Sequence, residues 1–510
     1  MPNFVADPRR EPDPWLERAA WLVVILSLWV NFHNILGTSL WNDEGYSFFA
    51  SNKNFPTTIG WIETETQPPL YYLALTAWLG LGHGVLVLRS LSALAMSLGA
   101  VFVYLAARDL FGRKIAIVAV VLFVLNPYCV MWAQKARPYA LQTMLVALSF
   151  WGFAGIVLAD RARTMVLGSG VVAAFRTRTW STAATDLRWF AYIVGGGLAM
   201  LTQHPAGFFV LGCNCAMLAL LISRRAGALR LLINWSVAQL LLSGIWLLWF
   251  PEFLVQVANQ LTPEHIRQSH AIFLVNPRQL WGILSNLLGV SNMWKVQPVF
   301  VALNAVIAAV ALYSAVHRRV RSGFVFIVVL APLAVCLAAY VLVHPVFGYV
   351  ISTFCWLLVP YSMLLAFGIW SLRPGVLRWL ALGVLLLGCA RGLQNYYAET
   401  PPPLDAIAKY IGDHAQPGDA IIFSSVGSGQ FGVAYYLQAA DRSLAGVEIS
   451  VQDDGLITTA AAALQHPRDW VVVPNGEVPA VDPAALEGTM RLGFDQPFGS
   501  VRVQRYDRRE

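Results

Sequence analysis

Apolar residues recur in runs of about 20 along the first four-fifths of the chain, separated by short polar segments. A run of this length is what an α-helix needs to cross a bilayer. The pattern predicts about eleven membrane-spanning helices within residues 1–394. From residue 395 the pattern changes, and PPPLDAIAKYIGDHAQPGDAIIF predicts a helix, a Pro-Gly turn and a strand. DWVVVP and SVRVQRY predict further strands, so we expect a small soluble α/β domain over residues 395–510.

Composition supports a polytopic membrane protein. The chain is 57% hydrophobic and 12% charged, whereas a soluble domain is about 25% charged. The formal net charge is +7, but the basic residues form short clusters between apolar runs rather than one charged face. Nucleic acid is therefore not an expected partner.

The basic residues orient the spans. Lys and Arg collect in cytoplasmic loops, and Arg9, Arg10 and Arg18 precede the first span. Later clusters are spaced so that two spans fit between neighbours, and they are Arg108–Lys114, Arg161–Arg163, Arg224–Arg230, His317–Arg321 and Arg373–Arg378. This spacing predicts a cytoplasmic N-terminus and an exported C-terminal domain. The segments predicted to face outward are 41–69, 133–137, 203–205, 251–297 and 344–347. The segment 251–297 mixes apolar and polar residues, which is typical of an interfacial helix.

Asp43 and Glu44 stand side by side in WNDEGYS, just after the first apolar run. One interpretation is structural, in which Asn42 or Asp43 caps a short helix and Glu44 complements its dipole. The other is catalytic, because a carboxylate partly desolvated at a membrane boundary can serve as a general base.

The stretch QPPLYYLAL begins where the chain re-enters the membrane, and its two prolines indicate a sharp helix start. Gln67, Tyr71 and Tyr72 are candidate substrate-binding residues, although tyrosines are also common at membrane interfaces. Arg89 falls within the next apolar run, where an arginine is costly unless it is paired or faces a wet cavity. It is either a ligand-binding or a snorkelling side chain.

MWAQKARPYALQ places Lys135 and Arg137 in an outward segment, against the usual distribution of positive charge. Cations there would suit an anionic ligand, since a guanidinium group grips phosphate with two parallel hydrogen bonds. An ion pair with the acidic first outward segment is the alternative. His204 and His344 each precede a proline in an outward segment and are candidate ligand-binding residues, although turn histidines are more common.

These motifs, in this order, resemble bacterial glycosyltransferases of the protein mannosyltransferase and aminoarabinose transferase superfamily, within the GT-C class. The motifs that carry the resemblance are WNDEGYS, QPPLYYLAL, LRSLSALAMSLGAVFVYLAARDLFGR, LNPYCVMWAQKARPYAL and LDAIAKYIGDHAQPGDAIIF. The resemblance implies the GT-C fold, with eleven to thirteen spans and amphipathic juxtamembrane helices. It also implies a polyprenyl-phosphate sugar donor and an extracytoplasmic lipid, glycan or protein acceptor in the bacterial inner membrane.

The resemblance further implies roles for individual residues. Asp43 matches the family's catalytic base and Glu44 supports it, while Lys135, Arg137 and Arg89 would meet the donor phosphate. The other candidate substrate-binding positions are Gln67, Tyr71, Tyr72, Tyr139, His204, His344 and Tyr349.

The chain departs from the family pattern at several positions. Gln67 stands where many relatives have His or Lys, Lys135 stands where an acidic residue is common, and Gly348-Tyr349 replaces Arg-Tyr. Some relatives bind a divalent metal through a Glu before the Pro-Pro pair, but Thr66 occupies that position here. Glu65 and His204 are the candidate metal ligands, and no cofactor is certain.

The leading hypothesis is inverting transfer of a sugar from polyprenyl phosphate, with Asp43 as general base. A lipid or solute transporter is the rival from another class, but transporters place ionisable residues near the bilayer midplane. Here the charges gather at one face. A non-catalytic partner in envelope polysaccharide assembly is the third hypothesis.

Overall fold

The computed structural model describes residues 14–63, 67–158, 180–223, 228–260, 298–317, 323–342, 351–423, 429–439, 448–451, 466–474 and 490–509. The chain packs as two compact units. The first, here called the membrane unit, comprises Met1–His33, Ile59–Ala74 and Arg89–Tyr397. The second, here called the sheet unit, comprises Asn34–Thr58, Leu75–Leu88 and Ala398–Glu510.

The described part of the chain is mostly helical. Its helices are α1 (Pro14–Phe32), α2 (Asn42–Ser51), α3 (Phe55–Glu63), α4 (Leu70–Trp78), α5 (Val85–Phe111), α6 (Arg113–Val124), α7 (Pro127–Ala133), α8 (Tyr139–Leu158), α9 (Trp180–Thr202), α10 (Gly207–Ser223), α11 (Ala228–Leu247), α12 (Phe250–Gln260), α13 (Pro298–His317), α14 (Phe324–Leu342), α15 (Leu358–Ser371), α16 (Gly375–Ala398), α17 (Leu404–His414) and α18 (Gln430–Ala439). Short 3₁₀ segments precede α10 at His204–Ala206 and α15 at Ile351–Leu357.

Seven stretches of the described residues are long and apolar enough to cross a membrane. They are α1, α5, α8, His204–Ser223, α11, Phe354–Ser371 and α16. The pair α6 and α7, bent by 59°, makes an eighth if it counts as one span. This architecture confirms the predicted polytopic helical membrane protein, whereas the number of about eleven spans stays a prediction. Residues 261–297 and 343–350 lie outside the described part of the chain.

The helices of the membrane unit pack closely where small residues face a neighbouring backbone. A Cβ atom added at Gly152 of α8 would meet the backbone of Tyr192 in α9. Gly195 of α9 faces Ser149 of α8 in the same way, and Ser149 Oγ donates a hydrogen bond to the Tyr192 carbonyl at 2.8 Å. Membrane helices associate through such packing and interhelical hydrogen bonds because lipid offers no hydrophobic driving force between them.

Polar contacts join further helices inside the membrane unit. Asn31 of α1 is 2% exposed and donates through Nδ2 to Ser97 Oγ of α5 at 2.9 Å. Arg188 of α9 pairs with Asp109 of α5, and its guanidinium lies 3.9 Å from the ring centroid of Trp151. These contacts satisfy polar groups that would otherwise be costly in a bilayer.

α6 and α7 are separated by a sharp bend and lead into the predicted Lys135–Arg137 segment. Asn126 Oδ1 accepts a hydrogen bond from Tyr128 N–H at 2.9 Å, and Pro127 occupies the first position of α7. Asn as N-cap followed by Pro is a strong helix-start signal. The break between Leu125 and Asn126 therefore redirects the chain before it turns into α8.

The described residues of the sheet unit form five strands: β1 (Ala420–Phe423), β2 (Glu448–Val451), β3 (Arg468–Pro474), β4 (Met490–Phe498) and β5 (Val501–Arg508). Their order is β2-β1-β3-β5-β4, with β1 parallel to β2 and β3 and with β5 antiparallel to β3 and β4. α17 and the strands β1, β3 and β5 appear where the sequence predicted a helix and strands. The small C-terminal sheet domain is thereby confirmed.

The core of the sheet unit is apolar and closed at one end by an ion pair. α17 buries Ile407 and Ile411 against Phe423 and Trp470 of the sheet. The carboxylate of Asp419 accepts two hydrogen bonds from the Arg468 guanidinium, at 2.9 and 2.7 Å, and one from the Trp470 indole at 3.0 Å. A buried carboxylate with this number of donors is well compensated.

Candidate active site

α2, in the sheet unit, carries Asp43 and Glu44 in its first turn. Glu44 has no exposed surface, and its Oε2 accepts a hydrogen bond from the Trp41 N–H at 2.9 Å. This contact satisfies a backbone donor that a helix start leaves unpaired. Glu44 therefore has the structural role of starting α2, although neither Asn42 nor Asp43 is the residue that supplies this contact. Asp43 is partly exposed.

α2 is held against α18 of the C-terminal domain, a contact that the sequence analysis missed. Asn42 Oδ1 accepts a hydrogen bond from the Phe431 N–H at 2.9 Å. Gly45 faces the backbone of Phe431 and Gly432, with no room for a Cβ atom. Because the two sides are about 390 residues apart in the chain, local periodicity carries no signal of this contact. This contact fixes the start of α2, the helix that carries Asp43.

Lys135 and Arg137 lie on a tight turn between α7 and α8, in the membrane unit. The Arg137 N–H donates to the Lys135 carbonyl at 2.8 Å. The Lys135 ammonium lies 5.5 Å from the Trp132 ring centroid, and the Arg137 guanidinium lies 5.9 Å from that of Tyr139. The two rings are 4.3 Å apart. Two cations thus rest on a pair of contacting aromatic rings, an arrangement that stabilises positive charge.

Gln134 anchors this turn to two other helices. Its Nε2 donates to the His33 carbonyl, just after α1, at 2.7 Å, and its Oε1 accepts from the Tyr396 hydroxyl of α16 at 3.1 Å. The side chain is 4% exposed. Both ends of the amide are therefore used in holding the start of the Lys135–Arg137 turn.

Tyr71, Ser92 and Arg137 form a chain of hydrogen bonds. Ser92 Oγ donates to the Arg137 carbonyl at 3.3 Å, and its other contact is the Tyr71 hydroxyl, also at 3.3 Å. Because Ser92 has one hydroxyl proton and gives it to Arg137, Tyr71 is the donor in the second contact. Arg89, one helical turn before Ser92, is 2% exposed and Arg137 is 6% exposed. Two guanidinium groups are thus buried in the membrane unit, on segments that this chain of bonds links.

Gln67 is connected to α4 and to the end of α9. Its Oε1 accepts hydrogen bonds from the Tyr72 hydroxyl at 3.0 Å and from Gln203 Nε2 at 3.1 Å. Tyr72 in turn contacts the Tyr71 ring edge-on, with 5.6 Å between centroids. Gln67, Tyr71 and Tyr72 therefore form one group with the Ser92–Arg137 contact.

His204 lies between α11 and α12. Its Nδ1 accepts from the Trp246 indole N–H at 3.4 Å, and its Nε2 is 3.2 Å from Gln256 Oε1. Gln256 Nε2 donates to the Ile62 carbonyl at 3.1 Å and to the Gln67 carbonyl at 3.2 Å. α12 is amphipathic, with Gln256 3% exposed and Leu254 52% exposed. This helix lies at the start of the predicted interfacial segment 251–297.

The described residues do not supply a set of metal ligands. Both ring nitrogens of His204 are already hydrogen-bonded. No group of three or more His, Cys, Asp or Glu side chains with metal-binding geometry occurs in the described part of the chain. Glu65, the other candidate ligand, lies outside it, and we derive no step through a metal.

The predicted site residues fall into three sets. The membrane unit connects the following through hydrogen bonds and ring contacts: Gln67, Tyr71, Tyr72, Lys135, Arg137, Tyr139 and His204. Arg89 is in the same unit, one helical turn before Ser92. Asp43 and Glu44 belong to the sheet unit. Glu65, His344 and Tyr349 lie outside the described residues.

The sequence analysis missed four polar residues that support these groups: Ser92, Gln134, Gln203 and Gln256. Each is buried. Only Ser92 carried a signal, as a polar side chain in an apolar segment, which in a membrane needs a partner. The three glutamines lie in the segments predicted to face outward, where polar side chains are ordinary.

The model of the family described as dolichyl-phosphate-mannose-protein mannosyltransferase matches residues 66–185. This range contains Gln67, the Lys135–Arg137 turn and α8. No curated protein matches the chain by sequence.

Solved structures share the fold over almost the whole chain. ArnT from Cupriavidus metallidurans in the apo state is 14% identical, with a TM-score of 0.60, and the match covers 96% of this chain and 97% of that one. ArnT bound to undecaprenyl phosphate is 13% identical, with a TM-score of 0.56 and the same coverage. The apo oligosaccharyltransferase from Archaeoglobus fulgidus is 11% identical, with a TM-score of 0.52, covering 91% of this chain and 70% of that one.

The chain is therefore a membrane protein with the GT-C fold. The family match over residues 66–185 and the shared fold confirm the predicted resemblance to GT-C glycosyltransferases.

Proposed function

We propose that the protein transfers a sugar from a polyprenyl-phosphate donor to a hydroxyl of an extracytoplasmic lipid, glycan or protein, with inversion at the anomeric carbon. One observation carries the proposal. Two arginines, Arg89 and Arg137, are buried in the membrane unit on segments joined through Ser92. A buried arginine in a membrane protein is costly unless it is paired or faces a water-filled cavity, so two of them indicate a functional site. The undecaprenyl phosphate bound by ArnT is a lipid of the kind that such a site would take.

In this proposal Arg89, Arg137 and Lys135 bind the phosphate of the polyprenyl-phosphate sugar. A guanidinium group offers two parallel donors to phosphate oxygens, and the Lys135 ammonium adds a point charge. When the glycosidic bond breaks, the leaving polyprenyl phosphate gains negative charge. Cations held in place beforehand stabilise that charge without reorganising, and each contributes a few kcal/mol to the transition state. Tyr139 and Trp132 orient the two cations by lying beneath them.

Asp43 acts as the general base in this proposal. It accepts the proton of the acceptor hydroxyl, whose oxygen then attacks the anomeric carbon from the face opposite the phosphate. The Glu44 carboxylate already accepts the Trp41 N–H, so its part is to fix α2. The Asn42 contact to α18 adds to this support. A rigid support favours catalysis because the base keeps its position throughout the reaction.

The proposed location is the bacterial inner membrane, with a cytoplasmic N-terminus and with Asp43 and the C-terminal domain on the periplasmic side. The supporting observation is that the basic clusters between the predicted spans collect on one side. Thr400, between α16 and α17, is exposed. A cysteine introduced at this position should react with a membrane-impermeant thiol reagent in intact spheroplasts. Reaction only after the membrane is opened would reverse the orientation.

Mass spectrometry tests the function in cells. Polyprenyl-phosphate sugars and surface glycans are compared between cells with the gene, cells without it, and cells carrying Arg137→Met. We expect the cells without the gene and the variant cells to accumulate one lipid-linked sugar and to lack that sugar in one envelope component. Unchanged lipid-linked sugars together with movement of an unmodified solute or lipid would favour a transporter instead.

A further inference from the structure

Gln67 is held by both of its carbonyl oxygens. Its backbone carbonyl accepts from Gln256 Nε2 at 3.2 Å, and its side-chain carbonyl accepts from Gln203 Nε2 at 3.1 Å and from the Tyr72 hydroxyl at 3.0 Å. Gln203 and Gln256 are each 3% exposed. The donors come from the end of α9, from α12 and from α4, so three separate elements fix the orientation of Gln67.

The direction of the Gln256 amide follows from a chain of donors that begins at Trp246. An indole N–H can only donate, so His204 Nδ1 is an acceptor and carries no proton. In the neutral ring the proton is then on His204 Nε2, which donates to Gln256 Oε1. The Gln256 NH₂ group is therefore turned towards the Ile62 and Gln67 carbonyls.

The Gln67 amide has a defined direction in the structure. Its Oε1 accepts from the Tyr72 hydroxyl and from Gln203 Nε2, which leaves Nε2 at the other side of the amide plane. Within the described residues, Gln67 Nε2 has no hydrogen-bond partner, and the residue is partly exposed. Gln67 thus presents two N–H donors in a fixed orientation, next to the Tyr71–Ser92–Arg137 chain.

We propose that Gln203 and Gln256 are positioning residues that hold Gln67 so that its NH₂ group donates to the phosphate of the lipid donor. The inference rests on the proposed function, because it takes the polyprenyl phosphate as the ligand. Gln67 supplies a neutral donor at a place where the family resemblance would put a cation. A neutral amide can present either its oxygen or its nitrogen, whereas a lysine presents only donors, so the amide needs neighbours that fix its direction.

Replacing Gln203 by glutamate tests this directly. The carboxylate introduced by Gln203→Glu cannot donate to Gln67 Oε1, so the Gln67 amide turns over and gives its NH₂ group to that carboxylate. An oxygen then faces the phosphate. When the introduced carboxyl is protonated, it can donate again and restore the original orientation. Gln203→Met is the matched control, since it has a similar size and neither donates nor accepts strongly.

The measurement is the Kd of the purified full-length protein for undecaprenyl phosphate, in detergent, across a pH range. We expect Gln203→Glu to weaken binding by roughly tenfold or more at high pH, since a hydrogen bond to a charged group is worth about that much. The loss should diminish as pH falls. Gln203→Met should bind a few-fold less tightly than the wild type, with the wild type's own pH dependence. Thermal unfolding checks that both variants are folded.

The outcomes separate the inference from the function on which it rests. Equal losses in Gln203→Glu and Gln203→Met at every pH would overturn the positioning role, because the effect would then be structural. A folded wild-type protein that does not bind undecaprenyl phosphate would overturn the proposed function, and the inference with it. Should Gln203→Glu not fold, Gln67→Glu replaces the donor group itself. It should weaken binding about tenfold more than Gln67→Met does, and equal binding by those two would overturn the proposal.

Discussion

Asp469→Asn is expected to stabilise the sheet unit at neutral pH and to remove a pH dependence of its stability. The Asp469 side chain has no exposed surface. Its Oδ1 is 3.1 Å from His466 Nδ1, and its Oδ2 has no hydrogen-bond partner among the described residues. Burial raises the pKa of Asp469 from 3.8 to about 6, against the opposing effect of the His466 hydrogen bond. Ionising this carboxyl therefore costs more in the folded protein than in the unfolded chain.

The magnitude follows from the two pKa values. The pKa values of Asp469 in the folded and unfolded states differ by about two pKa units. At about 1.4 kcal/mol per unit, ionising Asp469 lowers the unfolding free energy by at most about 3 kcal/mol. At pH values between these two pKa values, the folded state binds more protons than the unfolded state. The unfolding free energy therefore falls as pH rises from about 4 to about 6 and is constant above that. Asparagine keeps the shape without the charge. The variant should lack this slope and should be more stable at pH 7 by roughly 1–3 kcal/mol.

Hydrogen exchange of the β1 and β3 amides in the full-length protein, corrected for the intrinsic effect of pH, measures this stability locally. Asp495→Asn is the control, because it removes a more exposed carboxylate that is paired with Arg502. His466→Gln should move the slope of the parent protein to higher pH, since the imidazole lowers the Asp469 pKa. Equal protection in Asp469→Asn and the parent protein at every pH would refute the reasoning.

Three further substitutions test other parts of the structure. Asn31→Leu removes the hydrogen bond to Ser97 and should lower the unfolding free energy in detergent by roughly 0.5–2 kcal/mol; no change would contradict the role given to this contact. Gln142 of α8 is fully buried, and both of its amide atoms lack partners within the described residues. Gln142→Met should therefore leave stability unchanged or raise it by about 1 kcal/mol, and a clear loss in thermal unfolding would show that the amide is used. Gly45→Ala places a Cβ atom on the Phe431 backbone and should cost about 1–3 kcal/mol. Faster hydrogen exchange in α2 and α18 is the expected result, and unaltered exchange is the contrary one.

Much of the architecture could be predicted because its signals are local. Apolar runs of bilayer length marked the spans. The Pro-Gly turn separated the predicted helix α17 from strand β1, and the short segments DWVVVP and SVRVQRY marked β3 and β5. Arg89 stood out because charge is rare in such runs, and Arg137 because positive charge is uncommon in segments predicted to face outward. These features depend on a residue and its near neighbours in the chain, which a sequence displays directly.

The supporting contacts could not be predicted because they join distant segments. Asn42 contacts Phe431, and Gln256 contacts Gln67. Hydrogen bonds of this kind depend on which helix faces come together, and a single glutamine or asparagine does not reveal its partner. The role of Glu44 was ambiguous in the sequence. It is three residues after Trp41, which fits a helix cap, and it is adjacent to Asp43, which fits a catalytic pair.

Sugar transfer by Asp43→Asn protein tests the central claim most directly. The purified protein is supplied with the polyprenyl-phosphate sugar that accumulates in cells without the gene, together with its acceptor, and turnover is compared with that of the wild type. Loss of the base should lower transfer by about 10²–10⁴-fold, with thermal stability and undecaprenyl phosphate binding close to those of the wild type. Near-normal transfer by the folded variant would contradict the account of Asp43 as the general base.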